Sequence, residues 1–290
     1  MKIKILIPVF NDWQSLSKLM NNIDNEIQNI ISHEISIIIV DDASTFDRQL
    51  ETENLSNINS IKILVMKENK GHARCIATGL KYILEKEEFD YVIPMDGDGE
   101  DRPEEIKEFI KTIENNPDKT VVGETVKRSE AFIFKLCYFF HKIITLVFTG
   151  HSIKFGNFTC LSKSTVEKLV NEKATWNSFS GALTKVEKNK NSIQSIRGKR
   201  YFGPSKMSFS NLLKHSLSII SVFRNGVLIR SALFIIFYIL LIKSNASIIT
   251  AIPLILLLVM IYSISSLALR ENMDEFDKAL SNITDIDKLK

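Results

Sequence analysis

Four times in its first hundred residues the chain runs a short, almost continuously apolar segment into a polar cluster. Residues 2–9 lead to Asn11-Asp12, 34–40 to Asp41-Asp42, 61–66 to Asn69-Lys70-Gly71, and 89–95 to Asp96-Gly97-Asp98-Gly99-Glu100-Asp101. Strands with apolar side chains on both faces belong to sheets covered on both sides. Between them the spacing predicts helices over 12–31 and 72–85, then over 103–115, with a further strand over 120–123. Strands alternating with helices imply an α/β fold with a mostly parallel sheet. Ligands of such sheets bind beyond the carboxyl ends of the strands. The predicted topology therefore gathers four distant polar segments at one edge.

The fourth cluster carries the most chemistry. Strand alternation sets Asp96 and Asp98 on one side of the backbone. Two hard carboxylates so placed repel unless a cation lies between them. Mg²⁺ or Mn²⁺, with oxygen ligands and bridges to substrate phosphates, suits that chemistry. An acidic turn without a metal is the simpler alternative, because Gly and Asp are ordinary turn residues.

A net charge of +3 over 290 residues gives no support for nucleic-acid binding. Cys75, Cys137 and Cys160 are widely spaced and read as reduced, buried thiols. The five histidines form no close pair, which argues against zinc. The run ending at Pro8 is too short for the core of a signal peptide and reads as a first strand, which keeps the folded domain in the cytoplasm.

From Ser231 to Leu269 the only charged residue is Lys243. The segment divides into residues 226–242 and 248–268, each about the length of a bilayer-spanning helix. Arg230, near one end of the first, is placed to snorkel. Arg224, Arg230 and Arg270 flank the hairpin, which by the positive-inside bias puts both ends in the cytoplasm. The alternative is a helical hairpin buried in a soluble core. Residues 131–149 and 207–223 have mixed character and read either as core helices or as amphipathic helices at the headgroup level. The expected divisions are an α/β domain over 1–206, a juxtamembrane amphipathic helix over 207–225, a hairpin over 226–269 and a cytoplasmic tail over 270–290.

Ile7-Pro8-Val9-Phe10-Asn11-Asp12, Val40-Asp41-Asp42-Ala43-Ser44, Asn69-Lys70-Gly71-His72-Ala73-Arg74 and the Asp96–Asp101 cluster together resemble family 2 glycosyltransferases of the GT-A fold. Arg197-Gly198-Lys199-Arg200-Tyr201-Phe202-Gly203-Pro204-Ser205-Lys206-Met207-Ser208, followed by a hairpin, resembles the polyprenyl-phosphate branch, which includes dolichol-phosphate mannose synthases. The resemblance implies that Pro8, Asp12, Asp42, Asn69, Gly71, Arg74 and Asp96 bind the nucleotide sugar. It implies Asp98 as the main metal ligand, with Asp96 and with Glu100, a position commonly glutamine in this branch. Arg128, Arg200, Ser205 and Lys206 would face the donor diphosphate or the acceptor phosphate, and Asp98, Arg128, Arg200 and Lys206 would carry catalysis. The implied cofactor is Mg²⁺ or Mn²⁺. The implied partners are a nucleotide-sugar donor, a polyprenyl phosphate or other lipid-linked acceptor, and membrane lipid, with a homo-oligomer compatible. The implied location is the bacterial inner membrane.

Two departures stand out. Gly156-Asn157-Phe158-Thr159-Cys160-Leu161 replaces a Gly-Asp-Phe-Arg-Leu-like segment, and Thr125 stands where arginine is common. Three readings of function remain: transfer to a polyprenyl phosphate, transfer to a hydroxyl of a lipid-linked saccharide or glycolipid, and a non-catalytic nucleotide-sugar-binding scaffold. The second needs a general base, for which Glu187 is a candidate without a spacing argument.

Overall fold

A computed structural model of the chain describes residues 1–52, 54–127, 142–204 and 208–290. Its centre is one eight-stranded sheet in the order β7-β5-β6-β4-β1-β2-β3-β8. The first four strands are β1 (Lys2–Val9), β2 (Glu34–Asp41), β3 (Ser60–Met66) and β4 (Tyr91–Pro94), and they pair in parallel. Period-two alternation divides their side chains between two cores. Ile3, Ile5, Ile7, Ile35, Ile37 and Ile39 face one side, where they meet α1 (Trp13–Ile27) and α3 (Ile106–Asn115). Leu6, Ile38, Val40 and Leu64 face the other, against α2 (His72–Lys86), α5 (Lys163–Val170) and α6 (Phe179–Val186). Gly79 lets α2 approach β1 closely, since a Cβ there would lie 2.3 Å from a Leu6 methyl.

The second half of the sheet is mixed. β6 (Phe155–Ser162) runs antiparallel to both β4 and β5 (Val121–Lys127), while β7 (Asn191–Ile196) is parallel to β5. The expected α/β fold with a mostly parallel sheet is present, and the antiparallel β6 marks where the chain changes direction. Cys75 and Cys160 are buried and free, as expected. Arg128, Cys137, Ser205 and Lys206 lie outside the described residues, as does most of the amphipathic stretch expected over 131–149. Its end, 142–149, is a helix (α4).

After β7 the chain passes through a loop to α7 (Phe209–Ser221), then to α8 (Arg224–Ile242) and α9 (Ile248–Ala268). Ser247 caps α9 in a reciprocal capping box with Thr250, and Tyr238 donates to the Thr250 carbonyl across the turn. Arg230 donates to the Phe148 carbonyl at the end of α4, which ties the hairpin base to the domain. Only 11% of the apolar window in each long helix is buried, so the hairpin is not a core element of this chain.

The last twenty residues differ from the expected tail. They form α10 (Met273–Asp277) and β8 (Ile283–Lys288), which pairs antiparallel with β3 and closes one edge of the sheet. Their sequence conceals this because edge strands are commonly charged, and Asp285, Asp287 and Lys288 give no apolar alternation. Both ends of the hairpin therefore return to the same domain.

Candidate donor and metal site

The polar clusters meet at the carboxyl ends of β1 to β4, and hydrogen bonds clip them together. Asn11 adopts φ 51°, which turns its side chain to accept from the backbone N–H of Thr45 (2.8 Å) and Phe46 (3.0 Å). This joins the loops after β1 and β2. Asp42, buried, accepts from Lys70 N–H at 2.7 Å and Gly71 N–H at 2.9 Å, one per carboxylate oxygen. It fixes the Asn69–Gly71 loop at the start of α2. Arg74 lies on the first turn of that helix, where Glu275 of α10 reaches it at 3.3 Å. The expected binding residues Asp12, Asp42, Asn69, Gly71, Arg74 and Asp96, with Pro8 at the end of β1, thus lie on neighbouring strand ends and loops.

The acidic turn forms the floor. Asp96 accepts from His72 Nε2 (3.1 Å), Asn157 Nδ2 (3.2 Å) and Arg197 Nη2 (3.0 Å). Asn157, the departure on β6, therefore sits in the site as a neutral donor. Asp98 accepts from the Glu100 N–H at 3.0 Å and from Arg200 Nη1 at 2.8 Å. Arg200 also pairs with Asp12, so it bridges the β1 and β4 ends. Gly99 holds φ 88°, and a Cβ there would meet the Tyr201 ring at 2.4 Å. The loop after β7 consequently lies flat on the turn. Tyr201 N–H donates to the Asp98 carbonyl (2.9 Å), Gly198 N–H to that of Glu100 (2.8 Å), and Asn22 Nδ2 to the Tyr201 hydroxyl (2.8 Å).

The fields in this cluster are strong. Burial alone would raise Asp96, but His72 and Arg197 more than offset it and hold that carboxyl far below the ordinary range. Burial and the Asp96 charge push Asp98 upward, and push Asp101 up to about 7. An anion under such pressure is stabilised by any cation that approaches it. In this structure the cation that meets Asp98 is the Arg200 guanidinium. Among the described residues, however, no three His, Cys, Asp or Glu side chains converge on one point. The expected trio Asp96, Asp98 and Glu100 shares one turn without forming a ready three-carboxylate cage, because Arg197 holds Asp96 and Glu100.

Sequence reasoning missed Arg197 and His72. Arg197 was legible only as part of a basic loop, and nothing local marks which arginine of that loop points into the turn. Glu187, the candidate base, lies apart in an ion pair with Lys168 at 2.9 Å. Burial works to raise it, but the Lys168 bond lowers it on balance, which makes it a weak proton acceptor. A second cleft of about 700 Å³, lined by Lys2, Glu34, Glu87, Glu88, Asp90 and Lys163, opens at the opposite ends of the strands. Its Lys2 and Glu88 are already paired, and it lies away from the strand ends where such folds bind ligands.

Comparison with known proteins follows the same geometry. Residues 4–143 match the model of glycosyl transferase family 2. The dolichol-phosphate mannosyltransferase of Pyrococcus furiosus is 28% identical over 127 residues, covering 44% of this chain and 34% of that protein. The undecaprenyl-phosphate 4-deoxy-4-formamido-L-arabinose transferase of Proteus mirabilis is 25% identical over 226 residues, covering 73% of this chain and 64% of that protein. The chain thus spans from about a third to just under two thirds of the length of these relatives. Glucosyl-3-phosphoglycerate synthase from Mycobacterium tuberculosis, crystallised with Mn²⁺, UDP-glucose and phosphoglyceric acid, superimposes with a TM-score of 0.54 at 12% identity, covering 78% of this chain and 79% of that one. S. aureus TarS 1–349 in complex with UDP-GlcNAc gives 0.51 at 14% identity, over 97% of this chain and 89% of that one. Residues 4–143 of this chain thus match the glycosyl transferase family 2 model, and the chain has the GT-A fold of the solved structures it superimposes on.

Proposed function

We propose that the chain is a membrane-anchored, inverting, metal-dependent glycosyltransferase that moves a hexose from a nucleoside-diphosphate sugar to a polyprenyl phosphate. The observation that carries this reading is the bridge made by Arg200 between Asp12 and Asp98. Arg200 lies in the stretch of sequence that precedes α7 and the apolar hairpin, so a basic stretch of sequence stands between the residues of the acidic turn and the part suited to lipid. The polyprenyl-phosphate transferases among the relatives support the same acceptor class.

In this reading the nucleotide occupies the ends of β1 to β3, beside Asp12 and the loop fixed by Asp42. Asp98, with Asp96 nearby, would hold Mg²⁺ or Mn²⁺, whose charge would neutralise the diphosphate leaving group. The acceptor phosphate oxygen attacks the anomeric carbon from the opposite side as the bond to the nucleoside diphosphate breaks. The diphosphate leaves with that electron pair. An acceptor phosphate is already ionised near neutral pH, so no general base is required, consistent with Asn157 standing where an acid is common. Arg200 and Lys206, with Arg128 and Ser205, are assigned to the two phosphates, arginine as a fork and lysine as a point charge. The hairpin would anchor the domain on the cytoplasmic face of the inner membrane. The return of both its ends to one domain supports only that they lie on the same side of the membrane; the flanking Arg224, Arg230 and Arg270 assign that side to the cytoplasm.

The test is transfer of radiolabelled sugar by purified membranes, offering a panel of nucleotide sugars with polyprenyl phosphate and Mn²⁺ or Mg²⁺. The expected product is chloroform-soluble, labile to mild acid and abolished by chelator. Asp98→Ala should lower kcat by on the order of 10³ with the fold intact, because it removes charge stabilisation of the leaving group. Normal turnover in a folded Asp98→Ala protein rejects the metal role. Failure with every donor, in protein that binds nucleotide and metal, moves the assignment to a lipid-linked saccharide acceptor.

A further inference from the structure

Where the hairpin leaves the domain, cations from three segments converge. Helix α4 packs against the first turns of α8, with Ile144 and Phe148 beside Val227 and Ile220. Arg230 of α8 donates to the Phe148 carbonyl at 3.2 Å. Gly150 ends α4 at φ 78°, and a Cβ there would stand 2.6 Å from Arg230 Nη2, so the guanidinium lies against the backbone of that turn. His151 follows, its ring 4.5 Å from that of Phe223 at the head of α8. The segment after α6 supplies the rest. Lys190 Nζ donates to the Glu187 carbonyl at 2.7 Å and lies 5.8 Å from the centre of the Phe155 ring. Lys188, two residues earlier, is exposed.

The charges that act on this patch share one sign. Burial holds the His151 imidazole below its ordinary value, and Arg230, Lys190 and Lys188 push it lower still. Among the described residues no carboxylate acts on it in the opposite sense. Glu187, the acid of the neighbouring segment, is turned to Lys168 at 2.9 Å. Beside the cations, Ile143, Leu146 and Val147 form an exposed apolar stripe at i, i+3 and i+4 on α4. An apolar stripe bounded by cations, at the foot of two long apolar helices, has the composition of an element lying at the headgroup level.

We propose that this patch is a docking surface for the headgroup phosphate of an anionic phospholipid, held by Arg230, Lys188 and Lys190, with the apolar stripe of α4 set against the acyl chains. The inference rests on the membrane-anchored reading above. It concerns a surface apart from the donor and acceptor machinery, since none of its residues belongs to the acidic turn or to the 197–206 loop. Lysine and arginine suit the role because their stems lie along apolar surface while their charged heads reach the phosphate level. Each such cation adds attraction to an anionic leaflet. The patch gives the domain a second contact with the bilayer beside the hairpin, and so restrains how the domain tilts on it.

The test uses the full chain in detergent and counts retained lipid by native mass spectrometry. The probes are dioctanoyl phosphatidylglycerol, dioctanoyl phosphatidylcholine and inorganic phosphate. Phosphatidylglycerol is expected to bind about tenfold more tightly than phosphatidylcholine, with the difference shrinking as salt is raised. Lys188→Gln should weaken phosphatidylglycerol about threefold, and Lys188→Gln with Lys190→Gln about tenfold, with phosphatidylcholine unchanged. Lys111→Gln, on α3 across the sheet, is the control and should alter neither. Should the double variant misfold by circular dichroism, Lys188→Gln decides alone, because its side chain is on the surface. Equal binding of the two lipids by the wild type, or an equal loss in Lys111→Gln, overturns the proposal. So does inorganic phosphate that displaces phosphatidylglycerol at equal concentration, which would mark a site for a free anion. Release of the protein from membranes by alkaline carbonate would overturn the membrane-anchored reading instead, and the lipid titration in detergent is read independently of it.

Discussion

The two sides of the candidate site are built by different forces. The β1 to β4 side is held by backbone: parallel ladders set the strand ends, and Asn11 and Asp42 join the loops through main-chain N–H groups. The 197–202 side is held largely by charge, with Arg197 and Arg200 gripping carboxylates that carry their own repulsion. The first is preorganised whatever is bound. The second is held by ion pairs of Arg197 and Arg200, which under the proposed function would exchange partners when a metal–diphosphate binds. Such a division suits the proposed function, in which a donor is recognised rigidly and a second anion is then admitted.

A test of the rigid side lies far from the chemistry. Glu87, at the end of α2, pairs with Lys4 of β1 at 3.2 Å and also with Lys62 of β3. Its side chain and that of Lys4 are both only 7% exposed, so removing the carboxylate strands a buried ammonium. Glu87→Gln should cost about 3 kcal/mol of stability, read from denaturant midpoints, while turnover per folded molecule is kept. The pH dependence follows from sign. Burial pushes Glu87 up, but Lys62 and Lys4 together bring it below its ordinary value of 4.5. Its stabilisation is therefore complete above that value and fades as the pH falls through the lowered one. The gap between wild type and Glu87→Gln should be full at neutral pH and shrink below about pH 4. A gap that widened in acid would break the comparison, since the frame would then not rest on this ion pair.

The charge-held side predicts the opposite pattern. Arg200→Lys should leave stability nearly unchanged yet lower kcat by on the order of 10², because one ammonium cannot span Asp12 and Asp98 as the fork does. Comparing kcat with nucleotide affinity sharpens this. A loss confined to nucleotide affinity would assign Arg200 to the rigid donor side instead.

The two sides were also unequally legible. Apolar runs ending in Asn-Asp, Asp-Asp and Asp-Gly-Asp-Gly specify strands and their functional ends together, because burial on both faces leaves one reading of such segments. β1 (Lys2–Val9) and α9 (Ile248–Ala268) match the expected bounds residue for residue. Ion pairs have no such local signature. Arg197 meets Asp96, Glu100 and Asp101 across about a hundred residues of sequence, and only the fold brings them together. The same holds for β8, whose charged residues look like a solvated tail until β3 supplies its ladder.

That tail offers the finest test, because it touches the rigid side by charge. Glu275 of α10 accepts from Trp176 Nε1 at 2.9 Å and lies 3.3 Å from Arg74 and 3.6 Å from Lys70. Arg74 also packs over the Trp176 ring, 5.2 Å from its centroid. The segment that follows the hairpin thus steadies the same loop that Asp42 pins from below. Glu275→Gln keeps an oxygen for Trp176 but loses both ion pairs, and half-exposed pairs of this kind contribute little each. The expected result is nucleotide binding about fivefold weaker, or about 1 kcal/mol, with no change in the denaturant midpoint beyond a similar amount. Glu68→Gln is the matched control, since Glu68 pairs with Lys70 at 2.7 Å from a largely exposed position and should leave binding unaltered. If the two variants behave alike, the C-terminal segment only covers the sheet edge. If Glu275→Gln alone weakens binding, the part of the chain leaving the hairpin helps set the donor site, and charge contributes to both sides of it.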